Sequence, residues 1–294
     1  MPYKYKEKFL PDNGYRFYRD DRSILVQMLA YGRPLTDTQL VSVAKNFNKY
    51  LDTILKRDPQ TPAYGPALQR SDFKDLKSEP LYKYVSDSTW NHICKGSFQL
   101  GTAEYYRNTP NMNIRDQREG ASMFYLVSGN NQLSVAITSG FNCALFCGTS
   151  FVQGPDHELM LSRFGRKRIK IDPLDEFVAA LAKHIGAFSA HVYDIIYADL
   201  KNYLAKREGI ERYSEIMGKG KGDTDKTKMR KINESFFSVF YEYGFMPSLF
   251  SKPVAYKVER ERRVVFERRD DIKSPTLIVE DKSLLKYISL VDDG

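Results

Sequence analysis

Charged residues alternate in the segment from Tyr256 to Glu267, which reads Tyr-Lys-Val-Glu-Arg-Glu-Arg-Arg-Val-Val-Phe-Glu. Because successive side chains of a strand point to opposite faces, this order predicts Glu259, Glu261 and Arg263 together on one face of a sheet. Two neighbouring carboxylates repel each other unless a cation or a ligand compensates them. Such a pair could stabilise positive charge that develops on a substrate. A solvated edge strand held by ion pairs would carry the same residues.

A second group of polar side chains lies in residues 101–120, a segment too irregular to form part of a core. Its arginines, Arg107, Arg115 and Arg118, could bind phosphates. Its acids, Asp116 and Glu119, could orient ribose hydroxyls or pair with those arginines. Sites often lie on such loops, although a self-paired surface loop would have the same composition. The two acids, with the glutamate pair of the charged strand, could instead hold the magnesium ion of a metal-dependent nuclease.

Small hydroxyl residues follow an apolar run in Phe146-Cys-Gly-Thr-Ser150. Thr149 and Ser150 are therefore predicted at the end of a strand, where they could hydrogen-bond a ligand or turn the chain. The stretch Gly218-Lys-Gly-Lys-Gly222 resembles a phosphate-binding loop only superficially, because it lacks both the following Lys-Ser/Thr pair and a clear preceding strand. We interpret it as a basic loop that could contact backbone phosphates.

The net charge of +8 is unevenly distributed along the chain. Residues 163–170, 218–231 and 256–269 carry +5, +4 and +3, so the rest of the chain is negative. Positive charge gathered in this way is typical of a surface that binds a polyanion, and it predicts contact with nucleic acid. Three separate solvated surfaces would give the same totals. The predicted contact residues are Arg166, Lys167, Arg168, Lys219, Lys221 and Arg230.

Composition limits the classes to which the chain can belong. Apolar residues make up 42% and aromatic residues 13%, which is typical of a globular protein. No apolar run approaches the ~20 residues that span a bilayer, and the first residues lack the apolar core of a secretory signal. The three cysteines have no metal-ligand spacing and indicate a reduced cytoplasm. Neither a zinc site nor a Ser-His-Asp triad has a motif in this sequence, and no metal is expected.

Residues 1–78 are predicted to form a helical unit. A short helix is expected from Arg22 to Ala30, ended by the glycine and proline that follow. Thr36-Asp-Thr-Gln39 matches a capping box, and apolar residues then recur at helical spacing as far as Ile54. Prolines and a glycine between residues 59 and 66 predict a linker.

Residues 79–294 are predicted to form the second domain, in which β-favouring runs alternate with helical patterns. Asn130-Asn131 predicts a tight hairpin turn. Helices are expected at 89–95, 173–185, after 197 and at 232–243. Strands are expected at 81–85, 98–100, 123–128, 133–138, 143–147, 168–171, 191–197, 254–266 and 275–279. The order predicts an α+β fold with a split, mostly antiparallel sheet and an N-terminal helical unit.

The order of these motifs resembles that of an uncharacterised bacterial family of unknown function, common among phage-defence genes. The shared motifs are Leu81-Tyr-Lys-Tyr84, a helix ending in Gly96, Gln99-Leu-Gly-Thr, an Asp-x-x-Glu-Gly loop, Cys147-Gly-Thr-Ser and a late Glu-x-Glu-x-Arg. That family itself resembles the mono-ADP-ribosyltransferase toxins. The resemblance covers about residues 80 to 270, and its most specific part is Tyr256-x-x-Glu-x-Glu-x-Arg263.

The resemblance implies that NAD binds in a cleft of the split sheet. Glu261 would be the late-strand glutamate that assists transfer, and Glu259 would contact or deprotonate the acceptor. The family's first strand usually carries an Arg or His that holds the dinucleotide, which Leu81–Val85 lacks. Lys83, Tyr84 or Arg107 would then have to take that role. The implied NAD-binding residues are Tyr82, Lys83, Tyr84, Thr102, Tyr106, Arg107, Thr149, Ser150 and Arg263, with Tyr105 as a further stacking candidate.

The function implied by the resemblance is a cytoplasmic, NAD-dependent mono-ADP-ribosyltransferase that acts as a phage-defence toxin. Nucleic acid is the favoured acceptor, and RNA is favoured over DNA, as for toxins of toxin–antitoxin–chaperone systems. An antitoxin or chaperone partner would then be expected, and no membrane. Two alternatives remain open: a non-catalytic nucleic-acid-binding or sensor module that uses the basic segments, and the metal-dependent nuclease described above.

Overall fold

The computed structural model of the chain describes residues 7–9, 15–19, 24–28, 74–117, 119–128, 131–138, 140, 142–197, 202–206, 246–269 and 272–291. Several sequence predictions fall outside these ranges. They are the capping-box helix after Thr36, the linker at 59–66, the helix at 232–243, and the basic residues Arg118, Lys219, Lys221 and Arg230.

The strands and helices are numbered in chain order. The strands are β1 (Glu7–Phe9), β2 (Tyr15–Arg19), β3 (Ile24–Met28), β4 (Leu81–Val85), β5 (Ser97–Thr102), β6 (Ala121–Ser128), β7 (Asn131–Thr138), β8 (Cys143–Thr149), β9 (Lys167–Ile171), β10 (Ala187–Asp194), β11 (Ile196–Tyr197), β12 (Asn202–Lys206), β13 (Ser251–Lys252), β14 (Glu261–Arg268), β15 (Thr276–Glu280) and β16 (Ile288–Val291). The α-helices are α1 (Asp87–Ile93), α2 (Ala103–Asn108), α3 (Pro155–Phe164), α4 (Leu174–Ile185) and α5 (Met246–Leu249), and the 3-10 helices are η1 (Val254–Glu259) and η2 (Lys282–Tyr287). Among the described residues, no helix has the length and apolar character needed to cross a membrane.

The chain divides into two compact units. The first comprises residues 1–72, 120–139 and 198–251, and the second comprises 73–119, 140–197 and 252–294. This division differs from the predicted one at residue 78, because the hairpin of β6 and β7 belongs to the first unit. In that unit the strand order is β1-β2-β3-β7-β6-β12, with parallel pairs at β3–β7 and β6–β12.

The helix predicted from Arg22 is wrong, and the helical stretch predicted after residue 197 is wrong over the part that the structure describes, residues 202–206. Residues 24–28, which lie inside the helix predicted from Arg22, form strand β3, and the stretch after residue 197 contains strand β12. The sequence Ile-Leu-Val-Gln-Met is rich in strand-favouring residues. An apolar run this short fits the spacing of a helix as well as that of a strand. The predicted pairing of the two strands is confirmed, but the assignment of Asn131 to the turn is wrong, because Asn131 begins β7 and pairs with Ser128 of β6.

The second unit is built on a sheet in which every described pair is antiparallel. Its strand order is β10-β14-β8-β4-β9-β16, and β5 pairs with both β8 and β15. Apolar residues of α4 pack on one face, where the ring of Phe177 lies 5.6 Å from that of Phe146. The other core residues on this face include Leu81, Phe98, Leu181, Val264 and Phe266. The predicted α+β class with a largely antiparallel sheet is confirmed.

Local signals explain most helix boundaries in this unit. The amphipathic pattern predicted for 173–185 forms α4, which ends at Gly186 in the left-handed conformation, φ 65°. Helix α1 begins two residues earlier than predicted, because the hydroxyl of Ser86 accepts from the N–H of Thr89. Helix α3 is absent from the prediction, although Pro155 at its first turn is a recognised start signal.

Strands β4 and β8 share little backbone pairing in the described part of the chain. In the part of the chain that the structure describes, their ladder consists of the single pair Tyr82–Thr149, whereas β4 pairs with β9 along its whole length. Lys83 donates from Nζ to the carbonyl oxygen of Cys147, 2.5 Å away. A side chain therefore reinforces the single backbone pair that joins these two strands of the sheet.

Replacing Gly148 by alanine is expected to destabilise this junction. A Cβ at Gly148 would lie 2.5 Å from the carbonyl oxygen of Tyr82, which belongs to backbone and cannot rotate away. We expect a loss of about 1–3 kcal/mol in the free energy of unfolding, measured by urea denaturation. Gly154→Ala is the control, since a Cβ there meets nothing within 4 Å and only the positive φ is penalised. A loss below about 1 kcal/mol in Gly148→Ala would contradict the assignment of Gly148 to a crowded strand junction.

Candidate catalytic site

The predicted charged strand begins later than its alternation suggested. Residues 254–259 form η1, Arg260 adopts the left-handed conformation with φ 39°, and β14 starts at Glu261. Pro253 precedes η1 with φ −57°, which suits the entry to a helical turn and removes a strand donor. The predicted face sharing therefore holds for Glu261 and Arg263 but is wrong for Glu259.

A buried lysine brings the two glutamates together despite this turn. Lys252 Nζ lies 2.9 Å from Oε2 of Glu259 and 2.5 Å from Oε2 of Glu261. All three residues are no more than 5% exposed. The carboxylates thus share one cation, which is how the fold compensates a pair that would otherwise repel.

Arg263 joins the loop at 113–120 to the end of this cluster. Its NH1 and NH2 atoms donate to the two oxygens of Glu119 at 2.6 and 3.0 Å, and its Nε donates to Oε1 of Glu261 at 2.8 Å. Arg263 and Glu119 are both fully buried. The Asp-x-x-Glu-Gly loop and the Glu-x-Glu-x-Arg strand are therefore in direct contact, through a bidentate charge-assisted pair.

Aromatic and sulfur groups surround Glu261. The hydroxyl oxygen of Tyr197 accepts from the backbone N–H of Glu261 at 2.8 Å. Cys147 pairs with Arg263 across β8 and β14, and its thiol is hydrogen-bonded to the hydroxyl of Tyr106. Burial raises the pKa of Cys147 to about 12, so the thiol stays protonated and is not a nucleophile.

The environment shifts the pKa values of the two glutamates in opposite directions. Burial opposes ionisation of Glu261, but the charges of Arg263 and Lys252 outweigh it and lower its pKa to about 2. Burial raises the pKa of Glu259 and outweighs the nearby Lys252, while the charge of Glu261 raises it further. A permanently ionised carboxylate therefore lies beside one that takes up a proton more readily.

One oxygen of Glu259 stands out within the cluster. Glu259 Oε1 is buried and has no hydrogen-bond partner among the residues that the structure describes. Buried carboxylate oxygens are nearly always hydrogen-bonded, so this atom is suited to accept from a hydroxyl of a ligand. The other carboxylate oxygens of Glu259 and Glu261 contact Lys252 or Arg263.

Thr149 and Ser150 lie beside the glutamates and shape the turn between them. The hydroxyl of Thr149 donates to the carbonyl oxygen of Glu259 at 2.7 Å, and the N–H of Ser150 donates to that of Arg260 at 3.0 Å. Thr149 is buried, whereas Ser150 is partly exposed. The predicted strand-end hydroxyls are thus brought to the site, with Thr149 holding the left-handed turn in place.

The three predicted NAD-binding residues of strand β4 have different surroundings. Lys83 lies near enough to Glu261 for an electrostatic interaction, and burial lowers its pKa. Tyr84 is buried with its hydroxyl 2.7 Å from Nδ1 of His157, so it is not open to a stacking ligand. Tyr82 places its ring 5.1 Å from that of Phe151. Lys83 is therefore the member of this strand that the fold brings to the glutamates.

Two other predicted NAD-binding residues have structural partners. Arg107 donates from NH1 to the carbonyl oxygen of Glu119 at 2.7 Å, which fixes the loop that holds Arg263. Thr102 caps α2 by accepting from the N–H of Tyr105, and its hydroxyl donates to the carbonyl oxygen of Pro275. Tyr105 packs edge to face against Tyr106 at 5.2 Å. These contacts position the site from outside rather than line it.

The basic segment at 163–170 is partly neutralised. Lys167 forms an ion pair with Asp87, and Lys170 forms one with Asp172. Arg168 is 6% exposed and donates to the carbonyl oxygen of Val152, so its prediction as a surface contact is corrected. Arg166 is exposed and is available to a partner.

Comparison with known proteins gave no relative. No family model matches the chain, and no curated protein or solved structure is significantly similar to it. The geometry of the cluster, together with the motif resemblance, is therefore the basis for the functional proposal.

Sequence reasoning missed Lys252 and Tyr197, and it left the acids of the loop open as metal ligands. Neither missed residue belongs to a motif, and each reaches Glu261 only through the fold. The loop acid Glu119 instead has both oxygens on Arg263. Within the described ranges, no group of three or more His, Cys, Asp or Glu side chains is arranged to hold a metal ion.

Proposed function

We propose that this protein is a NAD-dependent mono-ADP-ribosyltransferase whose reacting carboxylates are Glu261 and Glu259. The observation that carries the proposal is the pair of buried glutamates on Lys252, with pKa values shifted in opposite directions. Opposed shifts within one pair are typical of sites that divide electrostatic and acid–base roles between two carboxylates.

The proposed reaction breaks the bond between nicotinamide nitrogen and ribose C1′ in NAD. Nicotinamide leaves with the bonding electrons, and C1′ becomes cationic, as in glycoside cleavage. The ionised Glu261 stabilises this charge. The acceptor then attacks C1′ and forms the new bond, and its proton passes to Glu259. The products are ADP-ribosylated acceptor, nicotinamide and one proton.

The residues present fit the ribose end of NAD. Glu259 Oε1 can accept from a ribose hydroxyl, and each oxygen of Glu261 retains capacity for a second hydrogen bond beside its cation. Lys83 supplies a positive charge at the junction of β4 and β8, and the motif resemblance expects the first strand to hold the dinucleotide. A water-poor cluster of this kind strengthens every electrostatic interaction with a developing charge.

The proposed acceptor is nucleic acid, and RNA in particular. Net positive charge and the exposed Arg166 support this acceptor class, and the resemblance to defence toxins supports RNA over DNA. As a toxin the protein would act in the cytoplasm and would be restrained by an antitoxin or chaperone. The binding of such a partner is part of the same proposal.

The direct test uses purified protein with NAD labelled in its adenylate part. Total RNA, DNA and lysate protein are offered separately, and label transfer and nicotinamide release are measured. Label in RNA supports the whole proposal, and label in another class supports the transferase with a different acceptor. Salt-dependent RNA binding without nicotinamide release would contradict the transferase proposal and favour the non-catalytic binding module. Magnesium-dependent RNA cleavage without NAD would replace it by the nuclease.

Glu259→Gln is expected to separate transfer from NAD cleavage. The amide keeps the shape of the side chain but cannot take the acceptor's proton, so transfer should fall by about 100-fold or more. Nicotinamide release into water should fall less, because Glu261 still stabilises the ribose cation. Both rates are measured on one preparation by label transfer and by nicotinamide release. Equal losses in the two rates would contradict the role assigned to Glu259.

A further inference from the structure

An aromatic ring lies half exposed directly after the residues that shape the site. Phe151 follows Thr149 and Ser150 and is 43% exposed. Other exposed apolar side chains in this unit include Phe188, at 42%, on strand β10. A cation and a second ring fix the position of Phe151.

A buried arginine supports the ring of Phe151. The Cζ atom of Arg168 lies 4.8 Å from the ring centroid, and its NH1 atom donates to the carbonyl oxygen of Val152 at 2.9 Å. Tyr82 approaches edge to face with ring centroids 5.1 Å apart. Each contact restrains the ring, and the remaining ring surface stays open to solvent. A restrained aromatic surface loses little entropy when a planar ligand stacks on it.

The backbone next to Phe151 is hydrogen-bonded to that of a second basic residue, Arg260. The N–H of Ser150 donates to the carbonyl oxygen of Arg260 at 3.0 Å, so the residue before Phe151 is bound to Arg260. The side chain of Arg260 is 54% exposed, and its NH2 atom lies 3.2 Å from a carboxylate oxygen of Asp156. Exposed ion pairs of this kind contribute little and exchange readily for another anion. An exposed aromatic ring and an exchangeable guanidinium on two hydrogen-bonded segments match a base and its phosphate.

We propose that Phe151 is a stacking platform for a base of single-stranded RNA and that Arg260 binds the adjoining phosphate. This inference deepens the proposed function and rests on it for the acceptor class. The buried glutamates would receive the ribose of NAD, while the exposed ring beside them receives the acceptor strand. Stacking tolerates any base, so the platform recognises a single strand without reading its sequence.

The test measures binding of a fluorescently labelled ten-nucleotide RNA by anisotropy, without NAD. Phe151→Leu is expected to weaken binding by about ten-fold, and Phe151→Tyr to retain it. Phe188→Leu is the matched control and should bind like the wild type. Arg260→Gln should weaken binding and lower the slope of log affinity against log salt by about one.

The outcomes separate this inference from the transferase proposal. Unchanged RNA binding by Phe151→Leu, or an equal loss in Phe188→Leu, overturns the platform even if the wild type transfers ADP-ribose. A raised KM for NAD hydrolysis in Phe151→Leu, with RNA binding unchanged, assigns the ring to NAD and also overturns it. If RNA binding depends on Phe151 but the wild-type protein does not cleave NAD, the stacking platform is upheld and the transferase proposal is overturned.

Discussion

Glu261→Gln is expected to reduce NAD cleavage by about 100- to 1,000-fold, the usual cost of removing one preorganised electrostatic group. Arg263 and Lys252 offset the burial of Glu261 and lower its pKa to about 2, so it presents a negative charge at neutral pH. The amide keeps the volume and loses that charge. Nicotinamide release under single-turnover conditions measures the effect. A rate within about three-fold of the wild type would falsify the assignment.

The same substitution also affects stability, which requires a matched control. Lys252 and Arg263 would lose a carboxylate partner in a buried site, and such losses typically cost several kcal/mol. Glu267→Gln provides the comparison, because Glu267 lies on the same strand, is 1% exposed and pairs with His191 at 2.6 Å. The control should lose stability but keep its rate per folded molecule. The folded fraction of each variant is measured by circular dichroism.

Arg263→Met is expected to have the largest effect on stability. It leaves both oxygens of Glu119 and one oxygen of Glu261 without their cation in a fully buried place. Breaking a buried pair of this kind costs about 3–5 kcal/mol, which is a large share of the stability of an ordinary domain. Urea denaturation followed by circular dichroism measures the change.

Arg260→Gln is the control for this prediction. Its guanidinium pairs with Asp156 at the surface, where the loss of an ion pair costs at most about 1 kcal/mol. A loss in Arg263→Met no larger than that in Arg260→Gln would show that the buried cluster adds little to folding. NAD cleavage by any folded Arg263→Met protein should also fall, because Arg263 orients Glu261.

Local patterns were sufficient to predict the scaffold of the second unit. Strand-favouring residues located β4, helical periodicity located α4, and alternation placed Glu261 and Arg263 on one face. These features depend on neighbours a few residues apart. The strands of the first unit show the limit of such patterns, because the short apolar run in β3 fits a helix or a strand equally well.

The contacts that make the site could not be read in this way. Arg263 meets Glu119 across 144 positions, and Thr149 reaches the carbonyl oxygen of Glu259 across 110. Both contacts follow from the order of the strands in the sheet, which local sequence patterns do not predict. Lys252 gave no sign in the sequence that it would bridge two glutamates. The two carboxylates meet because the fold brings both of them to one lysine, whereas the predicted reason, a shared strand face, is wrong.

The left-handed conformation of Arg260 has a consequence for selection. A side chain at φ 39° costs about 1–2 kcal/mol, a cost that glycine avoids and asparagine reduces. A library of all residues at position 260, sorted for resistance to heat or proteolysis, would therefore enrich glycine. The same library sorted for activity would enrich arginine if its guanidinium is used. Position 260 is thus a place where evolution toward a more robust fold and evolution toward a better enzyme would choose different amino acids.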